Sequence, residues 1–242
     1  MRFSTEETGQ ALTQETADAA PRADIYVIIH KALRAYMSDM LVALGRMDAH
    51  DDAEVRTVCA ELHGLLDFCS SHVTHENEFV HKAMQARVPG SSEKIAQEHV
   101  EHVQAIAMLH EEARALPQQP KGRRGAAALA LYRRFALFVA HNFEHMHYEE
   151  TVHNLVLWRH YSDAEIQQVE AALVATIGPE ESMLCLRWMI PSVNADERTL
   201  MLDDVRDKAP PPVFAAAMDL AREHLRARDW TRLQGDLLGV PA

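Results

Sequence analysis

Two apolar-striped stretches of this chain set a histidine four residues before a glutamate: His72-Val-Thr-His75-Glu76 and His145-Met-His-Tyr148-Glu149. Residues four apart on an α-helix lie one above the other on the same face. Each pair can therefore aim a ring nitrogen and a carboxylate oxygen at one point. The surroundings repeat as well, Phe68 aligning with His141, His72 with His145 and Glu76 with Glu149. On a wet face such pairs would be intrahelical ion pairs worth only about 0.2–0.5 kcal/mol each. Here the helical stripe that carries them also carries Leu62, Leu65, Cys69, Phe79 and Ala83 in one case, and Phe135, Phe138, Asn142, Val152 and Val156 in the other. That periodicity turns both pairs inward, where a polar group is costly unless hydrogen-bonded or bound to a metal.

Helix punctuation organises the rest. Residues 1–21 are polar and are expected to form a disordered or extended arm. Pro21 and Asp24 open a helix to about residue 47, with Tyr26, His30, Leu33, Met37, Leu41 and Leu44 on one stripe. His50-Asp51-Asp52 can cap a second helix reaching about residue 86, and Pro89-Gly90-Ser91-Ser92 breaks it and supplies the next cap. A third helix, about 93–116, carries Ile95, His99, His102, Ile106, Leu109 and Ala113. After Pro117 and Pro120 a fourth runs for about 35 residues. The expected fold is all-α, an up-down-up-down four-helix bundle over 22–160. Ser162-Asp-Ala-Glu165 is a capping box that starts a C-terminal extension of shorter helices over 161–242, punctuated at Gly178-Pro179, Pro191, Asn194 and Pro210-Pro-Pro212. This appendage either packs on the bundle or makes a homodimer contact.

Composition removes several functions. A formal charge of −12 leaves no basic footprint for a nucleic acid. No apolar run approaches the roughly 20 residues that span a bilayer. Cys59, Cys69 and Cys185 are scattered with no Cys-x2-Cys spacing, as expected of buried thiols in a reducing cytoplasm. No nucleophile arrangement or Gly-rich phosphate loop points to an enzyme.

Each of the four long helices brings an inward polar group: His30; His72 with Glu76; His99 or His102; and His145 with Glu149. Mixed imidazole and carboxylate ligands suit iron, manganese or zinc, and the lack of thiolates disfavours structural zinc or iron–sulfur sites. Two glutamates on separate helices can each bridge a pair of ions. At these residues the chain resembles a hemerythrin-like (hemerythrin HHE cation-binding) domain over about residues 22–160. The match rests on His30, His72-x3-Glu76 followed by Asn-Glu-Phe, Glu98-His99, and His145-x3-Glu149-Glu150.

The resemblance implies a non-haem di-iron centre, oxo- or hydroxo-bridged, that binds dioxygen or another small redox ligand, or senses oxygen, iron or redox state. The oxygen carriers of that family place a bridging Asp five residues after the helix-four His and two helix-three histidines four apart. This chain has Glu at four, and His99 and His102 are three apart. One of His99 and His102 is thus expected to ligate and the other to sit behind it. Glu98, His75, His141 and Tyr148 are expected around the site, His141 as a further ligand or at its mouth. His81, His147 and His153 are expected mainly on other faces, which also sets aside the Glu-x2-His pairs at Glu78, Glu144 and Glu150 as a rival centre. An oxidoreductase acting on peroxide or nitric oxide, and a metal-stabilised interaction scaffold, are the competing functions.

Overall fold

The computed structural model describes residues 22 to 239, and the arm expected over 1–21 lies outside them. Among the described residues every regular element is a helix and no strand is present. Helix α1 (Val27–Arg46) begins where the Asp24 carboxylate accepts hydrogen bonds from the backbone N–H groups of Tyr26 (2.9 Å) and Val27 (3.0 Å). Helix α2 (Asp52–His75) begins on Asp51, whose side chain accepts from Ala53 and Glu54, satisfying amides that the first turn leaves free. It continues through a π-helical turn, Glu76–Val80, into α3 (His81–Arg87).

Gly90 turns the chain with φ 88°, a left-handed conformation in which a side chain would be strained. Helix α4 (Glu93–Ala115) follows. Ser92 holds its N-cap position but does not cap it, because its backbone is near φ −105°, ψ 2° and its hydroxyl accepts from Gln85 Nε2 at 2.7 Å instead. Helix α5 (Lys121–Tyr148) passes through a second π turn, Glu149–His153, into α6 (Asn154–His160). The four long helices close a ring, α1 against α2 and α5, and α4 against the same two. Leu62, Leu65, Leu66, Leu109 and Phe135 are fully buried at its centre, each stabilising the fold by roughly 1.5–3 kcal/mol.

The capping box at Ser162 and Glu165 starts α7 (Asp163–Val174), followed by α8 (Pro179–Ser192), α9 (Ala195–Lys208), α10 (Pro211–His224) and α11 (Ala227–Leu238). Pro191, expected to end α8, lies inside its last turn. Helices α8 to α11 bury Leu186, Ile190, Leu202, Ala217, Ala221 and Leu233 in a core of their own. They are not detached from the long helices. Helix α8 packs along α1, where Tyr36 stacks on Trp188 (centroids 4.0 Å apart, 13° between planes). Lys31 Nζ pairs with Glu197 at 2.6 Å. Helix α7 lies against the first π turn. Among the described residues no helix is long and apolar enough to cross a membrane.

Candidate metal centre

Both glutamates singled out above open a π turn. In each turn the backbone bonds five residues back, His81 N–H to the Glu76 carbonyl and Asn154 N–H to that of Glu149. One extra residue per turn moves the inward stripe on by one position. Phe79, Ala83, Val152 and Val156, expected inside, are consequently only half-buried. Val80, His81 and Met84 replace the first two, and His153, Asn154 and Leu157 the others. His81, which an uninterrupted α period puts on another face, is therefore buried at 5% exposure, and His153, also expected on another face although it stands four residues after Glu149, is buried at 0%.

Four imidazoles and two carboxylates from the four long helices and their π turns converge. Glu76 Oε1 lies 3.2 Å from His72 Nε2 and 3.6 Å from His30 Nε2, while its Oε2 lies 3.3 Å from His99 Nε2. Glu149 reverses the order: Oε1 lies 3.3 Å from His145 Nε2 and 3.8 Å from His99 Nε2, and Oε2 is 3.5 Å from His30 Nε2. Each carboxylate thus divides its oxygens between a His30/His72 pair and a His99/His145 pair. All four oxygens are buried without a hydrogen-bond partner in the protein, as are the Nε2 atoms of His30 and His72. Such groups demand compensation, and two neighbouring sets, His30-His72-Glu76 and Glu76-His99-His145-Glu149, have metal-ligand spacing.

The outer ring nitrogens explain which way the inner ones face. His30 Nδ1 donates to Glu150 Oε1 (3.1 Å), whose carboxylate is clamped by Arg34 at 2.5 and 3.0 Å. His99 Nδ1 donates to Asn77 Oδ1 (2.8 Å), and His145 Nδ1 to Glu98 Oε2 (2.9 Å), with Lys94 on the other Glu98 oxygen at 2.5 Å. With the proton on Nδ1, a neutral imidazole presents a lone pair at Nε2, the arrangement that orients metal-binding histidines. His99 Nε2 and His145 Nε2 stand 3.0 Å apart. Two lone pairs at that distance repel unless a cation or a proton lies between them.

The electrostatics of the site favour positive charge. Burial opposes protonation of His30, but the hydrogen bond to Glu150 and the nearby Glu76 and Glu149 carboxylates outweigh it and lift its pKa to about 9. Burial likewise opposes protonation of His145, and Glu149 overcomes it, raising the pKa. Glu76 ionises well below the usual carboxylate range: burial works against this, but the closeness of the His72, His30 and His99 rings prevails. Three further imidazoles are held neutral, first by burial and then by neighbouring histidines: His81 falls to about 4, and His102 and His153 to about 3.

His30, His72, Glu76, His99, His145 and Glu149 all stand in the cluster. His102 does not. It is buried edge-on to the His145 ring (4.5 Å) and against Phe138, which leaves His99 as the helix-α4 member. Glu98 orients His145, His141 is exposed, His75 borders a cavity beside Glu76, and Tyr148 lies under Lys94 (3.9 Å). Glu78, Glu144 and His147 are exposed. Sequence reasoning misses Glu150 and Asn77 as orienting groups, and His81, His153 and Tyr26 as neighbours of the site. The one signal for the two histidines is that each follows a stripe glutamate, by five residues and by four. Comparison with family models, with curated proteins and with solved structures finds no match for this chain.

Proposed function

We propose that the protein is a hemerythrin-like di-iron protein that binds or senses dioxygen or another small redox ligand. In this reading the four long helices form an up-down-up-down bundle over 22–160, and the C-terminal helices are an appendage to it. One observation carries the reading: Glu76 and Glu149 each offer one oxygen to the His30/His72 pair and the other to the His99/His145 pair. Two bridging carboxylates and four terminal imidazoles are a donor set for two first-row cations, and nitrogen–oxygen ligation suits iron, with manganese or zinc as substitutes. Two ferrous ions held there would supply one electron each to a bound oxidant.

The chain's own residues do the rest. Glu150, Asn77 and Glu98 hold the ring protons on the outer nitrogens, so the donors stay oriented before any ligand arrives. Burial keeps bulk water from the carboxylates. A cavity of about 100 Å³ reaches His72 and Glu76 between apolar walls that include Ile29, Phe68, Leu173 and Ile177. It has room for a molecule of a few atoms, which favours a diatomic or similarly small ligand over an organic substrate. The free, buried cysteines accord with a reducing cytoplasm.

The test is metal analysis of the purified chain, followed by anaerobic Fe(II) loading and exposure to air. Two irons per chain and a new charge-transfer band that reverses on degassing are expected. Bleaching with consumption of peroxide would replace binding with an oxidoreductase, and zinc held with no redox response would replace it with a scaffold. His72→Ala combined with His145→Ala should abolish metal retention; two irons retained in that variant would remove the assignment.

A further inference from the structure

His81 and His153 are the largest unexplained polar feature of the interior. Both nitrogens of His81 and Nε2 of His153 are buried with no hydrogen-bond partner. An unpaired buried polar group is costly, and a leucine at position 81 would fill the space without that cost. The two rings meet edge to face, centroids 5.4 Å apart and 80° between planes. His81 also stacks on the His99 ring at 5.0 Å and 9°. His81, His153 and Glu149 each offer a ligand atom within 4.8 Å of one another. His153 Nδ1 lies 3.2 Å from the hydroxyl of Tyr26, itself 1% exposed. With Nδ1 donating to that oxygen, the Nε2 lone pair is left free, the same device that orients His30, His99 and His145.

We propose that His81, His153 and Glu149 hold a third divalent first-row cation beside the pair described above. Two neutral imidazoles and one carboxylate are an ordinary ligand set for Zn²⁺, Fe²⁺ or Mn²⁺, and three protein ligands leave a position open to a small ligand. The π turns build this site. The first lets a histidine five residues beyond Glu76 reach the interior, and the second passes from Glu149 to His153. The proposal rests on the di-metal reading only through Glu149, which both would share. Because a third cation enters beside two others with no additional carboxylate, it binds last and most weakly.

The experiment titrates metal-free protein with Zn²⁺ and counts bound metal by mass spectrometry after dialysis against excess. All samples carry His110→Ala, because the part-exposed His63 and His110 rings stand 2.6 Å apart at their Nδ1 atoms and would collect zinc of their own. Three ions per chain are expected, and two when His81→Leu and His153→Leu are combined. Saturation at two ions in both proteins, or three in both, overturns the third site and leaves the di-metal reading intact. No zinc in either protein overturns both.

His81→Leu removes a ring with no partner, whereas His153→Leu removes one unpaired nitrogen and also the partner of the buried Tyr26 hydroxyl. If they prevent folding, anomalous scattering at the zinc edge from crystals of the His110→Ala protein decides instead. A peak roughly 2.0–2.2 Å from nitrogens of both His81 and His153 supports the site, and its absence at saturating zinc overturns it.

Discussion

Glu150 Oε1 lies 3.1 Å from His30 Nδ1, and Arg34 grips the same carboxylate from outside the cluster at 2.5 and 3.0 Å. A guanidinium at the half-exposed rim is thereby linked through a carboxylate to an imidazole with no exposure at all. Partners of this kind typically govern metal affinity by 10–100-fold. Glu150→Ala should weaken binding by about that factor at the His30/His72 position and far less at His99/His145. Competition with a chelator, read as two separate binding steps, checks it. Equal weakening of both steps would show that Glu150 acts on the cluster's overall charge instead.

His99 and His102 are predicted to behave differently although three residues separate them. His99→Ala should lower the iron content of the purified protein from two ions to one, since it removes a donor shared by both carboxylates. His102→Leu should leave metal content unchanged. Its Nδ1 is buried without a partner, so the substitution is expected to be neutral or stabilising. Metal analysis and thermal unfolding of the two variants provide the comparison.

The metal-free protein should be most stable near pH 6.5. His81, His102 and His153 have folded pKa values pushed down to about 4, 3 and 3. Below 6.5 the unfolded chain therefore binds protons that the folded one refuses. Stability contributed by these neutral rings is present above 6.5 and is lost as pH falls toward 4 and 3, by up to about 1.4 kcal/mol per pH unit for each ring. His30 acts in the other direction. Its folded pKa is raised to about 9, so its contribution is complete below 6.5 and is lost as pH rises through 9. Urea denaturation of chelator-treated protein from pH 4 to 9.5 should show the maximum. A profile that is flat from 6.5 down to 4 would contradict the neutral assignments.

Leu173 and Ile177 belong to the C-terminal extension yet line the cavity that ends at His72 and Glu76. Leu173→Trp should fill that space. The expected outcome is slower reaction of the ferrous protein with air at unchanged iron content, followed by stopped-flow absorbance. An unchanged rate would place ligand entry elsewhere.

The long helices were legible because their limits are written in local chemistry. Asp51, Ser162 with Glu165, and Asn194 with Glu197 all cap as their sequences suggest, though Ser92 does not, and Pro and Gly mark the breaks except at Pro191. Four of the six clustered donors were legible for a related reason, since His-x3-Glu keeps its face in any α-helix, and His30 and His99 were legible from their places on apolar stripes. What lay beyond reach began at the π turns. Hydrophobic periodicity assumes one winding throughout, and a turn with one extra residue leaves no compositional trace. That is why Phe79 and Val152 were expected inside and His81 outside; His153, four residues after Glu149, shares that glutamate's face in a plain α-helix and was within reach of the same spacing rule. Of the groups that orient the ligands, Glu98 was expected beside the site, but Glu150 and Asn77 were hidden: Glu150 pairs across 120 residues of chain with His30, a meeting that only the packing of α1 against α5 and its continuation can produce.

The donors are written twice along the chain. Helices α1 and α2 with their π turn supply His30, His72 and Glu76, and α4 and α5 with theirs supply His99, His145 and Glu149. Neither set is complete, because each glutamate reaches toward histidines of the other half. A cation pair seated there would act as a rivet between two hairpins, so that filling the centre and joining the halves of the molecule become a single event.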